Sequence, residues 1–142
     1  MGAFQVIYVC SPLSGNIQEN MKKAKEYAGQ VKEVFGCRAI APHGHLPKFM
    51  DDANEKEREV CIRFCVGCLE CCDGIAVFEK PATDGMKKEI QRAYEMKLPF
   101  ILCCESLHSI HDCVIVASVD QDYEKVVKEL LQCDVLMKER SL

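Results

Sequence analysis

Residues 72–94 read C-D-G-I-A-V-F-E-K-P-A-T-D-G-M-K-K-E-I-Q-R-A-Y, and this stretch decides the fold. Residues 75–78 are a short apolar run of strand-forming residues, and turn residues fill positions 80–85. From Met86 the apolar residues recur at helical spacing. Strand, loop and helix in this order form half of a βαβ unit. In open α/β sheets such units bind ligands at the carboxyl ends of the strands, so we expect the chemistry in this loop and in the first helical turns.

One carboxylate of this helix, Glu89, falls on the apolar side. At about 100° per residue it lies between Ala93 and Met96 on the helical wheel. Burying a carboxylate costs desolvation free energy unless a partner or a reaction uses the charge. Two interpretations remain open: an ion pair with Arg92 three residues later, or a functional carboxylate.

Strands and helices alternate along the rest of the chain. We predict strands at residues 5–10, 38–41, 75–78, 99–104 and 113–119, and helices at 17–35, 55–72, from 86, and 123–131. The alternation predicts an α/β fold: a single-domain, flavodoxin/Rossmann-like, three-layer α/β/α arrangement around a five-stranded parallel sheet of order 2-1-3-4-5. The domain spans residues 1–132, and residues 133–142 form a C-terminal tail.

Composition excludes several classes of function. A chain of 142 residues supports one domain, and its net charge of −4 lacks the basic footprint of a protein that binds a nucleic-acid polymer. Neither a signal peptide nor an apolar run of membrane-spanning length is visible, so we expect a cytoplasmic protein without a membrane partner. Eleven cysteines without a secretory signal indicate a reducing compartment.

The cysteines Cys61, Cys65 and Cys68 have the C-x3-C-x2-C spacing of radical-SAM iron–sulfur ligands. Here the segment is predicted to be helical, with these thiols and Cys72 at the centre of its apolar face. A helix rises roughly 16 Å from Cys61 to Cys72, whereas thiolates around one zinc lie about 4 Å apart. We therefore predict core cysteines and expect neither a metal ion nor a cofactor; a Cys-ligated metal or iron–sulfur protein is the weakest functional alternative.

Three loops meet at the carboxyl ends of the predicted strands. Residues 10–16, C-S-P-L-S-G-N, lead into a helix whose amino end suits a phosphate or sugar oxygen. Residues 41–45, A-P-H-G-H, follow the second strand, and residues 83–89, T-D-G-M-K-K-E, end on the inward carboxylate. A carboxylate beside a loop that holds sugar oxygens suggests attack on an anomeric carbon. Four residues offer metal ligands in principle, although a polar loop explains them as well: His43, His45, Asp51 and Asp52.

Four motifs resemble those of the nucleoside 2-deoxyribosyltransferase superfamily, and more narrowly its small bacterial and phage branch. They are Y-V-C-S-P-L-S-G-N at 8–16, A-P-H at 41–43, C-D-G-I-A-V-F at 72–78 and D-G-M-K-K-E-I at 84–90. The resemblance covers about residues 5–104. Its most specific part is an acidic residue, Asp73, that opens the central strand, followed sixteen residues later by Glu89 in G-M-x-x-E.

The resemblance implies that Glu89 attacks C1′ of a deoxynucleoside, expels the base and forms a glycosyl-enzyme that water or a second base resolves. Tyr8 would orient Glu89. A carboxylate that characterised members carry on the preceding helix is replaced by Cys65, and Asp51, Asp52 or Asp84 are candidates to substitute for it. The residues implied to hold the sugar or 5′-phosphate are Ser11, Ser14, Gly15, Asn16, His43, Thr83, Gly85 and Met86.

Each of these roles has a simpler alternative. Tyr8 also suits a buried strand position, and Ser11 and Ser14 also suit turns. The sequence thus favours an N-glycosidase or deoxyribosyltransferase-like enzyme acting on a nucleoside or its 5′-monophosphate. The alternative is a non-catalytic nucleotide-binding module of the same fold. Because family members build the pocket across a dimer contact, we expect a homodimer or higher homo-oligomer.

Overall fold

A computed structural model describes residues 4–13, 15–44, 54–79, 82–103 and 105–132. The strands are β1 (Val6–Cys10), β2 (Arg38–Ile40), β3 (Gly74–Val77), β4 (Phe100–Cys103) and β5 (Cys113–Val116). The α-helices are α1 (Ile17–Phe35), α2 (Glu55–Leu69), α3 (Asp84–Glu95) and α4 (Tyr123–Gln132). Single-turn 3-10 helices follow β2 at Pro42–Gly44 and precede β5 at Ile110–Asp112.

The five strands form one sheet of order β2-β1-β3-β4-β5, which confirms the predicted order. Strands β1 to β4 pair in parallel, but β5 runs antiparallel to β4, so the prediction of an all-parallel sheet was wrong for this strand. The reason is the length of the connection. A parallel crossover needs a dozen or more residues and usually a helix, whereas only residues 104–112 join β4 to β5. The strand also ends at Val116 rather than at residue 119.

The predicted three layers are confirmed, with one helix on one face of the sheet and three on the other. Ile7 and Val9 of β1 pack with Tyr27 and Val31 of α1. Tyr8, from the opposite face of β1, belongs to the core formed with α2, α3 and α4. The side chains of successive strand residues alternate between the two faces of the sheet. The buried residues of β1 therefore contribute side chains to both cores, and Tyr8 faces α2 and α3.

Side-chain caps define where the helices around the site begin. Asn16 accepts a hydrogen bond from the Glu19 N–H at the start of α1, and Thr83 accepts one from the Met86 N–H at the start of α3. Such caps satisfy N–H groups that a helix leaves unpaired at its first turn. Asn54 caps α2, and this helix ends at Leu69 rather than at the predicted residue 72.

Asp73 fastens the amino ends of the central strands. Its carboxylate accepts hydrogen bonds from the backbone N–H groups of Gln5, at 2.9 Å, and Val6, at 3.0 Å. These contacts lie at the opposite edge of the sheet from the carboxyl ends of the parallel strands. The acidic residue of the D-G motif therefore has a structural role that joins β3 to β1.

Of the helices within the described ranges, none combines the length and apolarity that crossing a bilayer requires.

Candidate functional site

Glu89 is a buried carboxylate at the carboxyl edge of the sheet. It lies in the second turn of α3 and its side chain is 1% exposed. Arg92, the partner that the simpler interpretation gave it, instead contacts Glu70 at 2.7 Å and Glu95 at 3.3 Å. The helix therefore turns Glu89 inward while Arg92 binds carboxylates on the outer surface.

His43 is the basic side chain beside Glu89. Its Nε2 lies 3.5 Å from Glu89 Oε2, and its Nδ1 lies 2.9 Å from the backbone carbonyl oxygen of Ser11. The single-turn helix Pro42–Gly44 positions this ring at the end of β2. A Cβ added to Gly44 would lie 2.9 Å from Lys25 Cγ, so the backbone of this turn packs directly against α1.

The contacts of His43 define its tautomer. A carbonyl oxygen only accepts, so the Nδ1 of His43 carries the hydrogen in the bond to Ser11. In a neutral imidazole, Nε2 is then a lone pair facing a Glu89 oxygen. The contact between Nε2 and Oε2 is 3.5 Å long, which is longer than a charge-assisted hydrogen bond of about 2.7–2.9 Å.

Three buried polar atoms around this pair have no hydrogen-bond partner among the described residues: Tyr8 Oη, Ser11 Oγ and Glu89 Oε1. Buried polar groups in native proteins almost always have a partner, and exceptions require an explanation. A cluster of such atoms at the ligand-binding edge of an α/β sheet is typical of a site whose partner is a ligand.

A phenol and two thiols near the Glu89 carboxylate are uncharged. Burial and, second, the Glu89 charge raise the pKa of the Tyr8 phenol well above its ordinary value. The same two causes, burial first, raise the pKa of the Cys10 and Cys65 thiols. At neutral pH these groups are therefore protonated, and each can donate a hydrogen to an incoming ligand or to Glu89.

The cavity over Glu89 is small and opens towards a larger groove. Its volume is about 30 Å³, which accommodates ordered water or an ion rather than a nucleoside. The outer groove, of about 550 Å³, shares Arg58 and Ile62 with the cavity. The cavity is lined by Leu13, His43, Arg58, Cys61, Ile62, Cys65, Thr83, Gly85 and Glu89.

Most of the residues that the sequence predicted for the site lie at the carboxyl edge of the sheet, near Glu89. Thr83 and Gly85 line the cavity beside Glu89. Ser11 is buried and offers its carbonyl to His43, and the Met86 carbonyl accepts a long contact from the Cys10 thiol at 4.0 Å.

Other predicted residues lie elsewhere. Asp84 is exposed and lines the outer groove rather than the cavity over Glu89. Gly15 and Asn16 are exposed, and the Asn16 side chain caps α1. Ser14, Asp51 and Asp52 lie outside the described residues.

Sequence reasoning missed that Cys65 and His43 both face Glu89. A ring nitrogen of His43, Cys65 Sγ and a Glu89 oxygen lie within 4.8 Å of one another. Cys65 was predicted as core, and it is indeed 1% exposed. The sequence contained one signal of this: Cys65 occupies the position at which members of the resembling family carry a carboxylate. Cys61 and Cys72 are also buried, and none of the nine described cysteines forms a disulfide.

Comparison with known proteins defines the class of fold. The structure is similar to that of the 2-deoxyribosyltransferase from the psychrotolerant bacterium Bacillus psychrosaccharolyticus, a biocatalyst for nucleoside synthesis. The TM-score is 0.54 at 16% sequence identity, over 71% of this chain and 73% of that one. At this identity the likeness shows a shared α/β fold. The chain itself belongs to the DUF7768 family, a domain of unknown function, whose sequence profile matches residues 5–103. No curated protein sequence matches it significantly.

Proposed function

We propose that this protein cleaves the N-glycosidic bond of a nucleoside, a deoxynucleoside or a 5′-monophosphate of either, with Glu89 as the nucleophile. The observation that carries the proposal is a carboxylate that is 1% exposed and has one oxygen, Oε1, without a hydrogen-bond partner among the described residues. An unsatisfied buried carboxylate is costly, so proteins place one where chemistry uses it. The fold shared with a 2-deoxyribosyltransferase supports the same substrate class.

The residues around Glu89 suit a two-step displacement. A Glu89 oxygen attacks C1′, the electrons of the C1′–N bond leave with the base, and a glycosyl ester forms. Tyr8, whose hydroxyl has no partner among the described residues, would orient the carboxylate. Water then attacks the ester and releases the free sugar, or a second base attacks it and forms a new nucleoside.

His43 is our candidate for the acid that protonates the departing base. In its protonated form His43 has Nε2 at 3.5 Å from Glu89 Oε2, and the negative charge of the carboxylate stabilises the imidazolium. Once Glu89 becomes an ester it has no charge, so the imidazolium loses its partner and becomes a stronger acid. This assignment supplies an acid although Cys65, whose pKa is raised by burial, replaces the family carboxylate.

The outer groove suits the remainder of a nucleotide. Arg58, Lys87 and Lys88 line it and offer cationic groups for a 5′-phosphate, although Glu55, Glu59 and Asp84 line it as well. Because the cavity over Glu89 is only about 30 Å³, it has to widen before the sugar reaches the carboxylate. The proposal includes a small-molecule partner and, as the sequence resemblance implies, a homo-oligomer.

A second candidate function is a nucleotide-binding module without catalysis. Two observations favour it: the cavity is narrow, and a neutral thiol stands where the resembling family has its acid. This module would retain the groove and the fold but would leave the glycosidic bond intact.

The test incubates the reduced protein with nucleosides, deoxynucleosides and their 5′-monophosphates and measures free base by chromatography. We expect base release that Glu89→Gln lowers by roughly a thousandfold or more. The matched control is Glu95→Gln on the same helix, since Glu95 is exposed and pairs with Arg92. Mass spectrometry of the wild type should show a sugar adduct on Glu89. Calorimetric binding of a nucleotide without base release would favour the binding module, and neither binding nor release would overturn both.

A further inference from the structure

Three side chains at the cavity carry atoms of the kinds that bind metal ions. One ligand atom each from His43, Cys65 and Glu89 lies within 4.8 Å of the other two. The side chains come from three elements, the turn after β2, helix α2 and helix α3, and all are buried. Nitrogen, sulfur and oxygen donors in a group of three are typical of zinc sites that keep a fourth position open.

The second contact of His43 is the one that metal-ligating histidines make. Its Nδ1–H donates to the Ser11 carbonyl at 2.9 Å, which fixes the ring and directs the Nε2 lone pair into the cavity. Histidines that bind metals almost always donate their other ring N–H to a carbonyl or carboxylate. The ring is thus already in the tautomer and orientation that coordination requires.

The distance between His43 and Glu89 also fits a metal better than a direct hydrogen bond. It is 3.5 Å from Nε2 to Oε2, whereas a charge-assisted hydrogen bond is about 2.7–2.9 Å long. Nitrogen and oxygen ligands at about 2.0–2.1 Å from a tetrahedral zinc are roughly 3.3 Å apart. Cys65 Sγ lies within 4.8 Å of a His43 ring nitrogen and of a Glu89 oxygen.

Two independent observations point to an occupant the size of a metal ion. Glu89 Oε1, in a side chain that is 1% exposed, has no hydrogen-bond partner within the part of the chain that the structure describes. The cavity of about 30 Å³ has room for an ion and its water but not for an organic molecule.

We infer that His43, Cys65 and Glu89 bind one thiophilic divalent cation, best represented by zinc, with the fourth position open to the cavity. Coordination forms bonds from the metal to Nε2, Sγ and a carboxylate oxygen. It displaces the Cys65 thiol proton, together with a proton on His43 Nε2 or Glu89 where one is bound, and these protons go to solvent. This site differs from the sequence expectation of no metal, and it does not depend on the proposed glycosidase. In the metal-bound form Glu89 is a ligand, so zinc would block any reaction that uses Glu89 as a nucleophile.

Cobalt(II) is the probe, because its absorption reports both thiolate ligation and tetrahedral geometry. Reduced, chelator-treated protein is titrated with cobalt(II) under anaerobic conditions. We expect saturation at one ion per chain, a sulfur-to-cobalt charge-transfer band, and displacement by zinc. Cys65→Ser should remove the charge-transfer band. Cys65→Ser, His43→Gln and Glu89→Gln should each weaken binding by more than the roughly 10–100-fold that loss of an outer-shell partner costs.

The matched control is Cys61→Ser. Cys61 lies one turn earlier on α2, is buried and lines the same cavity, but it is outside the ligand set. This variant should keep the spectrum and the zinc-dependent rise in melting temperature, whereas Glu89→Gln should lose that rise. Circular dichroism establishes which variants fold. The inference is overturned if the wild type shows no saturable cobalt band, or if any folded ligand variant keeps wild-type affinity. It is also overturned if Cys61→Ser loses the band while Cys65→Ser keeps it.

Discussion

Tyr8 and Tyr27 are two buried tyrosines whose hydroxyl groups differ in one respect. The Tyr8 hydroxyl has no hydrogen-bond partner among the described residues, whereas the Tyr27 hydroxyl donates to Glu79 at 2.6 Å. A buried polar group without a partner contributes its full desolvation cost, while a bonded one is close to neutral or favourable. The two hydroxyl groups should therefore make different contributions to the free energy of unfolding.

We expect Tyr8→Phe to leave the free energy of unfolding unchanged or to raise it by up to about 1 kcal/mol, since it removes an unsatisfied group. Tyr27→Phe should lower it by about 1–2 kcal/mol, because Glu79 loses its phenolic donor. Urea unfolding followed by circular dichroism measures both values. If Tyr8→Phe destabilised the protein as much as Tyr27→Phe does, the Tyr8 hydroxyl would have a structural partner after all.

The sequence predicted the inward direction of Glu89 because helical periodicity alone determines which face a residue occupies. It did not predict the contact between Glu89 and His43. That contact depends on the strand order, which places β2 beside β1, and on a single-turn helix that packs against Lys25 through Gly44. Neither is a periodic property of the local sequence, so the site residues were named more readily than their partners.

At the scale of elements, the start of helix α4 is fastened by one aromatic side chain. Tyr123 donates its hydroxyl hydrogen to the Leu98 carbonyl at 2.7 Å, and its ring packs near those of Tyr94 and Phe100. Burial raises the pKa of Tyr123 to about 12. In the unfolded chain a tyrosine titrates near its ordinary value of about 10.

Tyr123→Phe should lower the free energy of unfolding by about 1 kcal/mol at pH 8, because the Leu98 carbonyl loses its donor. A folded-state pKa above the unfolded one gives stability that is fully present below about pH 10 and is lost as the pH rises through about 12. The difference between wild type and variant should therefore shrink as the pH rises from 8 to 11. Urea unfolding at each pH measures it, and a difference that stayed constant would contradict the assigned pKa shift.

The end of helix α2 offers two adjacent cysteines in different surroundings. Cys71 is exposed, whereas Cys72 is 6% exposed and burial raises its pKa to about 12. Because only the thiolate attacks alkylating reagents, we expect iodoacetamide at pH 8 to modify Cys71 at least about 100-fold faster than Cys72. Fragment-ion mass spectrometry of the shared peptide measures both rates. In urea the two rates should converge; equal rates in the folded protein would mean that α2 ends differently.

Strand β5 shows where element-level prediction failed. Its apolar residues predicted a strand correctly, but the predicted parallel direction requires an α-helix before it, and the described residues between β4 and β5 form only a single-turn 3-10 helix. The length of the connection determines the direction of β5, since residues 104–112 are too few for a parallel crossover. The other connections of the sheet contain a helix, and there the predicted parallel pairing is confirmed.

For the whole molecule, the strand order and the layers were predictable because buried strands and amphipathic helices allow few arrangements. The size of the cavity was not, since it depends on how side chains from α2 and α3 fill the space above Glu89. Cys65, which looked like core, is both core and cavity wall. A residue with two roles cannot be recognised from one pattern.

At the scale of the whole molecule, two exposed apolar side chains allow a test of the predicted homo-oligomer. Val60 and Phe64 lie on α2 and are 47% and 53% exposed. If the expected homo-oligomer forms through this face, Phe64→Glu should shift sedimentation towards the monomer without lowering the melting temperature of the fold. Val114→Glu on β5, where the side chain is 62% exposed, is the control. A wild type that sediments as a monomer at micromolar concentration would contradict the expectation.

The reversed direction of β5 has a practical use. Because β5 runs back along β4, its last residue, Val116, pairs with Phe100, the first residue of β4, at the amino edge of the sheet. The exposed turn at 118–122 therefore follows the amino edge of the sheet, whereas Glu89 lies at the carboxyl edge. A fluorophore, affinity handle or immobilisation tether grafted at Gln121 would leave the edge that carries Glu89 unobstructed, so titrations could be followed on a surface-attached sample.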